Sequence, residues 1–223
     1  MYKLLLSILF LSTLSFAMSV DDIVKKVDQR DDGDHIISQM TMILIDKQKN
    51  QRIRSLKRFT KDFGKDIHQS IYFLSPNDIK NTAFLTFDYD DNKKDDDQWL
   101  YLPALKKTKR IASTDKSGSF MGSDFSYSDM TKPNIKDYTY SIKKSKKIRG
   151  HDAWIIERIP KNKKVTEETG YKKSYIYVRK DNFVVIGAIH YLTDGKKKYM
   201  SVKKLKEIEG IWFTTEIVMK TTK

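Results

Sequence analysis

The sequence predicts a mainly β protein. It reads as about nine strands in one antiparallel sheet that curls towards a barrel or half-barrel, with an N-terminal helix and short helical interruptions. Three observations carry this. Apolar–polar alternation recurs along almost all of the chain after residue 34. Turn-forming pairs separate several of these stretches, so neighbouring strands close as hairpins into a meander rather than βαβ units. Apolar residues at helical spacing dominate one stretch, close to the N-terminus.

That stretch begins at Ser19-Val20-Asp21-Asp22, which has the form of a capping box: a hydroxyl, then a carboxylate three residues later. Val20, Ile23, Val24 and Val27 then share one helical face, and Asp31-Asp32-Gly33 ends the helix near Arg30. Strands follow at His35–Ile45, at Ile67–Phe73, at Leu85–Tyr89 and at Trp99–Leu102, the last apolar on both faces. Tyr138–Ile142 and Ala153–Ile159 alternate in the same way. Tyr175–Val178 and Phe183–Tyr191 flank Asp181-Asn182 as a two-residue turn; Asp194-Gly195 and Glu209-Gly210 bound the last hairpins, which run to Met219. Ser75-Pro76-Asn77-Asp78 reads as an N-cap with proline at the first helical position, and Ser123–Met130 as a short helical turn after Gly122. Many strands are apolar or aromatic on both faces, more than one wet face requires. A sandwich core and a hydrophobic trough account for this excess equally well.

The chain has 223 residues, a net charge of +14 and no cysteine. Disulfides, cysteine-ligated zinc and cysteine nucleophiles are excluded. The four histidines, His35, His68, His151 and His190, match no zinc spacing, and no nucleophile elbow, phosphate loop or dinucleotide fingerprint occurs. No catalytic residue, metal or cofactor is assigned. Asp88-x-Asp90-x-Asn92 resembles the start of a calcium loop, but Lys93 and Trp99 stand where glycine and glutamate are needed, so Asp88–Asp97 reads as a solvated hairpin loop. Residues 1–110 carry a net +3 and residues 111–223 a net +11, so the second half attracts anions. Lys196, Lys197 and Lys198 are its expected contact with an anionic surface. Residues 1–17, with Lys3, an apolar run and small residues at Ser15 and Ala17, read as a secretory signal peptide cleaved near Ala17, leaving residues 18–223 as one exported domain. Export argues against a nucleic-acid partner.

Two central stretches carry a resemblance. Gln98-Trp-Leu-Tyr-Leu-Pro-Ala-Leu-Lys-Lys-Thr-Lys-Arg-Ile111 and Ser119-Phe-Met-Gly-Ser-Asp-Phe-Ser-Tyr-Ser-Asp-Met130 follow one another as in the outer membrane lipoprotein-sorting protein family, the LolA-like group found beside RND-type exporters. The helix ending in Asp28-Gln-Arg, Gly33-Asp34 and Gly210-Ile-Trp-Phe are similar too. The resemblance implies an incomplete antiparallel β-barrel with helices across its mouth. It implies a periplasmic, non-enzymatic carrier of lipid or lipoprotein acyl chains, monomeric and cofactor-free. The alternative is an interaction module docking on an RND-type inner-membrane exporter. Leu100 and Leu102 are expected to face the cavity, with Trp99 against the helices, and Phe120, Met121, Phe125, Tyr127 and Met130 to form the lid. Relatives often add one or two strands after the Gly-x-Trp segment, so either a shorter barrel or a longer protein is expected.

Overall fold

The computed structural model describes residues 18–91 and 93–222; the expected signal peptide lies outside them. Helix α1 (Val20–Asp28) starts where the capping residues place it: the Ser19 hydroxyl accepts from Asp22 N–H at 3.1 Å and donates to the Asp22 carboxylate at 2.6 Å. Two antiparallel sheets follow, each of six strands in sequential order. The first holds β1 (His35–Ile45), β2 (Gln51–Phe63), β3 (Asp66–Ser75), β4 (Ala83–Asp88), β5 (Asp97–Leu102) and β6 (Lys107–Arg110). The second holds β7 (Tyr138–Ile148), β8 (His151–Pro160), β9 (Tyr171–Arg179), β10 (Val185–Leu192), β11 (Lys197–Ile208) and β12 (Ile211–Thr222). Neither sheet closes on itself, and the molecule is the incomplete antiparallel barrel that the sequence predicts, but in two sheets and not one, because β6 and β7 do not pair across the long connection between them.

There are twelve strands among the described residues, not about nine. The largest omission is β2. Its inward positions are Arg54, Leu56, Arg58, Thr60 and Asp62, so only Leu56 is a buried apolar signal. Strand β6 is short and exposed throughout, and leaves no alternation to read. Ser75 ends β3 and residues 76–81 form a turn instead of a helix, because the β3–β4 hairpin continues its hydrogen bonding through Phe73, Asn81 and Thr82 and leaves too little chain. Asp181-Asn182 is not a two-residue turn: residues 180–184 all lie in the connection between β9 and β10. Glu209-Gly210 does form one, both residues having positive φ, +52° and +81°, which the second position tolerates because it is glycine. Helix α2 (Lys163–Thr169) escapes apolar periodicity. Its signal is its punctuation, Asn162 capping Val165 N–H at 3.0 Å and Gly170 in the left-handed conformation after it.

Each sheet buries its inner face under a different piece of chain. On the first, Leu56, Ile71, Phe73, Phe84 and Leu100 pack with Ile111 and Phe120 from the connection between the sheets. On the second, Ile156, Ile176, Val178 and Ala188 pack against Ile23 of α1. The space left between these two plugged halves is where the candidate site lies.

Candidate functional site

A cavity of ≈ 400 Å³ opens between α1, the connecting segment and the second sheet. One wall is apolar, made by Val24 and Val27 of α1 together with Ile176, Ala188, Met200 and Met219 of the second sheet. The opposite wall is charged, with Asp88 and Asp96 from the β4–β5 loop, Lys116 and Lys132 from the connecting segment, and Lys164 and Glu168 from α2. A second cavity of ≈ 360 Å³ lies beside it, lined by Ile67, Thr86 and Met130 on one side and Phe183 on the other. The two cavities share Val27, Asp88, Lys132, Pro133 and Val185, so the strap 131–134 is part of the wall between them.

Three polar ties hold that strap. Lys132 N–H donates to Asp88 Oδ2 at 2.6 Å, the Lys132 ammonium bonds the Asp28 carbonyl oxygen and lies 3.4 Å from Asp28 Oδ1, and the Asn134 amide donates to the Asp90 carbonyl at 3.0 Å. Burial, and then the neighbouring Asp96 carboxylate, push the Asp88 carboxyl up to about 7. Burial also raises Asp96 and Glu168, with Lys116 opposing the rise in both. Asp88 and Asp96 are therefore not members of a solvated loop, as the sequence suggests. The hairpin is there, but it turns these two carboxylates into the cavity.

Asp129 organises a polar group that also lines the cavity, with Tyr171 and His190. Its carboxylate accepts from Ser126 N–H at 2.8 Å and from the Tyr171 hydroxyl at 2.8 Å, and lies 3.6 Å from Lys198 Nζ. Tyr171 stacks on His190 with centroids 4.3 Å apart, and His190 Nδ1 is 2.7 Å from Ser174 Oγ. Burial, aided by the Arg158 charge, lowers His190 to about 3, so its ring is neutral.

The residues singled out from sequence fall into two groups. Leu100 is buried and Leu102 half-buried on the inner face of β5, in the first core cluster with Phe120, whose ring lies 5.0 Å from Phe84 and 5.6 Å from Tyr127. Met121, Phe125, Tyr127 and Met130 pack against the same cluster. Phe125 also lines the larger cavity and Met130 the smaller. Trp99 is on the opposite face of β5 from Leu100, edge-on to Phe87 at 5.2 Å. The lysine run divides. Lys196 is exposed and pairs with Asp194 at 2.6 Å, and Lys197 lies over the Tyr191 ring. Lys198 is only 6% exposed and is held by Asp129, so it cannot contact an external surface: strand alternation turns it inward. Sequence reasoning missed α1 as a cavity wall, although Val24 and Val27 stand on its apolar face. It had no signal for Lys116, Glu168 or the shared wall, which arise from tertiary contact.

Among the described residues no group of three or more metal-ligating side chains occurs, and no helix is long and apolar enough to cross a membrane. The architecture defines an open antiparallel barrel enclosing a cavity with one apolar and one charged wall. A family model described as "Uncharacterized protein" matches residues 65–223. A DUF1329 family protein from Desulfovibrio piger shares 31% identity and superposes with a TM-score of 0.82 over 89% of this chain and 83% of that one. A domain from Vibrio parahaemolyticus, described as an outer membrane lipoprotein-sorting protein, gives 31% identity and 0.82 over 90% and 84%. A LolA superfamily protein from Nitrosomonas europaea has the same fold at 19% identity, with a TM-score of 0.68 over 92% and 86%. No curated protein matches the chain. The chain belongs to the family of these DUF1329 and outer membrane lipoprotein-sorting proteins and has the LolA-like fold.

Proposed function

We propose that the protein is a periplasmic carrier. After removal of residues 1–17, its single domain takes up a lipid or lipoprotein acyl chain and releases it elsewhere in the envelope, without covalent chemistry or a cofactor. The observation that carries this reading is the cavity of ≈ 400 Å³ whose apolar wall is built by α1 and the second sheet. An acyl chain gains about 0.8 kcal/mol per CH₂ removed from water, so each CH₂ laid against the apolar wall adds to retention. The name carried by the relative from Vibrio parahaemolyticus supports the same cargo class. In this reading Phe125 touches the cargo, Met130 meets it only where it extends into the smaller cavity, and Leu100, Leu102, Phe120, Met121 and Tyr127 back the lid.

Mass spectrometry of organic extracts from natively purified protein should find a bound amphiphile, and a fluorescent fatty acid should bind and be displaced by lipid. Phe125→Asp should weaken probe binding about tenfold or more while the melting temperature stays close to wild type, since Phe125 is only half-buried. Absence of co-purified lipid together with no probe binding would sink the carrier reading and favour a module that docks on an RND-type exporter.

A further inference from the structure

The excess of apolar residues seen in the sequence is in part neither core nor cavity. It lies on the outer face of the first sheet. Cross-strand register places Ile37, Phe59, Leu85 and Trp99 in one row, with Ser70 of β3 between Phe59 and Leu85, and Tyr72, Ala83 and Tyr101 in the next, which Lys57 and Gln39 continue. Phe63, His68, Phe87 and Trp99 form a continuous aromatic series, with centroid separations of 4.4, 4.0 and 5.2 Å. Ile37 is 70% exposed, and Phe63, Tyr72, Leu85 and Tyr101 are exposed as well. A contiguous apolar face of this kind marks an interaction surface.

The β1–β2 hairpin extends this face beyond the sheet. β3 pairs with β2 only from Phe63 back to Ser55, whereas β1 stays paired through Met42↔Arg54, Ile43↔Ile53, Leu44↔Arg52 and Ile45↔Gln51. On this overhang Ile43, Ile45 and Ile53 are 51%, 63% and 58% exposed. Cations surround them. Residues 35–63 carry a net +5, more than the +3 of the whole first half. Lys47, Lys49 and Arg52 stand exposed at the tip. Lys57 and Lys61 lie over the rings of Phe59 and Phe63, each 5.0 Å from a centroid.

We propose that this face, with the β1–β2 hairpin leading, docks on an anionic lipid bilayer and buries Ile43, Ile45 and Ile53 in its surface. Charge decides the occupant. A second copy would bring two basic faces together, whereas acidic headgroups complement them. The side-chain mixture also fits a bilayer. Tryptophan and tyrosine settle at the headgroup level, lysine stems lie along apolar surface with their ammonium groups in water, and aliphatic tips reach the acyl layer. The surface is remote in sequence from the lysine-rich second half, and the proposal stands independently of what the cavity holds.

The test uses the mature full chain and vesicles of phosphatidylglycerol and phosphatidylcholine, with pure phosphatidylcholine as the neutral arm. Co-sedimentation should show binding to the anionic vesicles at 0.1 M salt, at least tenfold weaker at 1 M salt and on neutral vesicles. The Ile43→Ser/Ile53→Ser double variant should lose at least tenfold in partitioning, and Lys57→Glu/Lys61→Glu should do the same through charge alone. Both should retain the melting temperature and the acyl-probe affinity of the wild type, because all four side chains are exposed. No vesicle binding by the wild type, or binding that neither variant weakens, overturns the proposal. A wild-type dimer that Ile43→Ser/Ile53→Ser converts to monomer also overturns it, by assigning the face to a second copy.

Discussion

Asp88 is the residue at which structure and charge conflict most. It closes the wall between the cavities by accepting from Lys132 N–H, yet burial and Asp96 hold its carboxyl near 7 instead of 3.8. A raised folded value means that the folded protein binds the proton more tightly than the unfolded chain. The resulting stabilisation is fully present below about pH 4 and is lost as the pH rises towards 7. Asp88→Asn keeps an acceptor for Lys132 and removes the charge. Urea titrations should find it more stable than wild type by about 1–3 kcal/mol at pH 8, with the difference vanishing near pH 4. His190 has the opposite sign. Its folded value is depressed from 6.5 to about 3, so its contribution is present above pH 6.5 and falls away as the pH drops towards 3. His190→Gln, which can still bond Ser174, should lose less stability between pH 7 and pH 4 than the wild type does.

At the scale of elements, the strap 131–134 forms part of the wall between the two cavities. It is anchored by hydrogen bonds to Asp88, Asp28 and Asp90 and by the Lys132–Asp28 ion pair. Lys132→Met removes the tie to Asp28 and leaves the backbone bond to Asp88. Release of a fluorescent fatty acid, followed by stopped flow, should be several-fold faster in this variant, with the equilibrium fold unchanged. An unaltered release rate would mean that cargo leaves by another route. The strap also illustrates what a linear reading can reach. α1, the short turn at Tyr127–Met130 and the strands with clean alternation were legible because local chemistry and tertiary burial agree in them. β2 was not, since its inward side carries Arg54 and Arg58, and Arg54 spends its guanidinium on the Met121 carbonyl at 2.6 Å, a partner 67 residues away. The aromatic and methionine side chains of the connecting segment were visible as residue types. That Phe125 and Met130 would meet different cavities depends on how two sheets are set about one strap.

For the whole molecule, the charge asymmetry is more finely divided than the halves of the sequence suggest. The second half holds most of the excess, but not all of its lysines reach the surface or stand unmatched: Lys198 is buried on Asp129, and Lys143 pairs with Glu157 at 2.6 Å. The first half is nearly balanced in sum and sharply uneven in space, with acids around the cavity and cations on the β1–β2 hairpin.

The sequential order of strands in both sheets has a kinetic consequence. Every strand pairs with its neighbour along the chain, so the loops to be closed are short and the search for partners is local. Each half can zip from its own hairpins without waiting for the other. The segment that carries Phe120 can dock only after the face formed by Phe73 and Phe84 exists, which makes its arrival a late event. Phe120→Ala should therefore cost about 3–5 kcal/mol, nearly all of it as faster unfolding, while the refolding limb of the chevron scarcely moves. A matching slowdown in refolding would place Phe120 in the nucleus instead. If docking is late, the plug is also the first thing to leave, and the lifetime of the closed molecule is set by an aromatic side chain that its rate of formation barely senses.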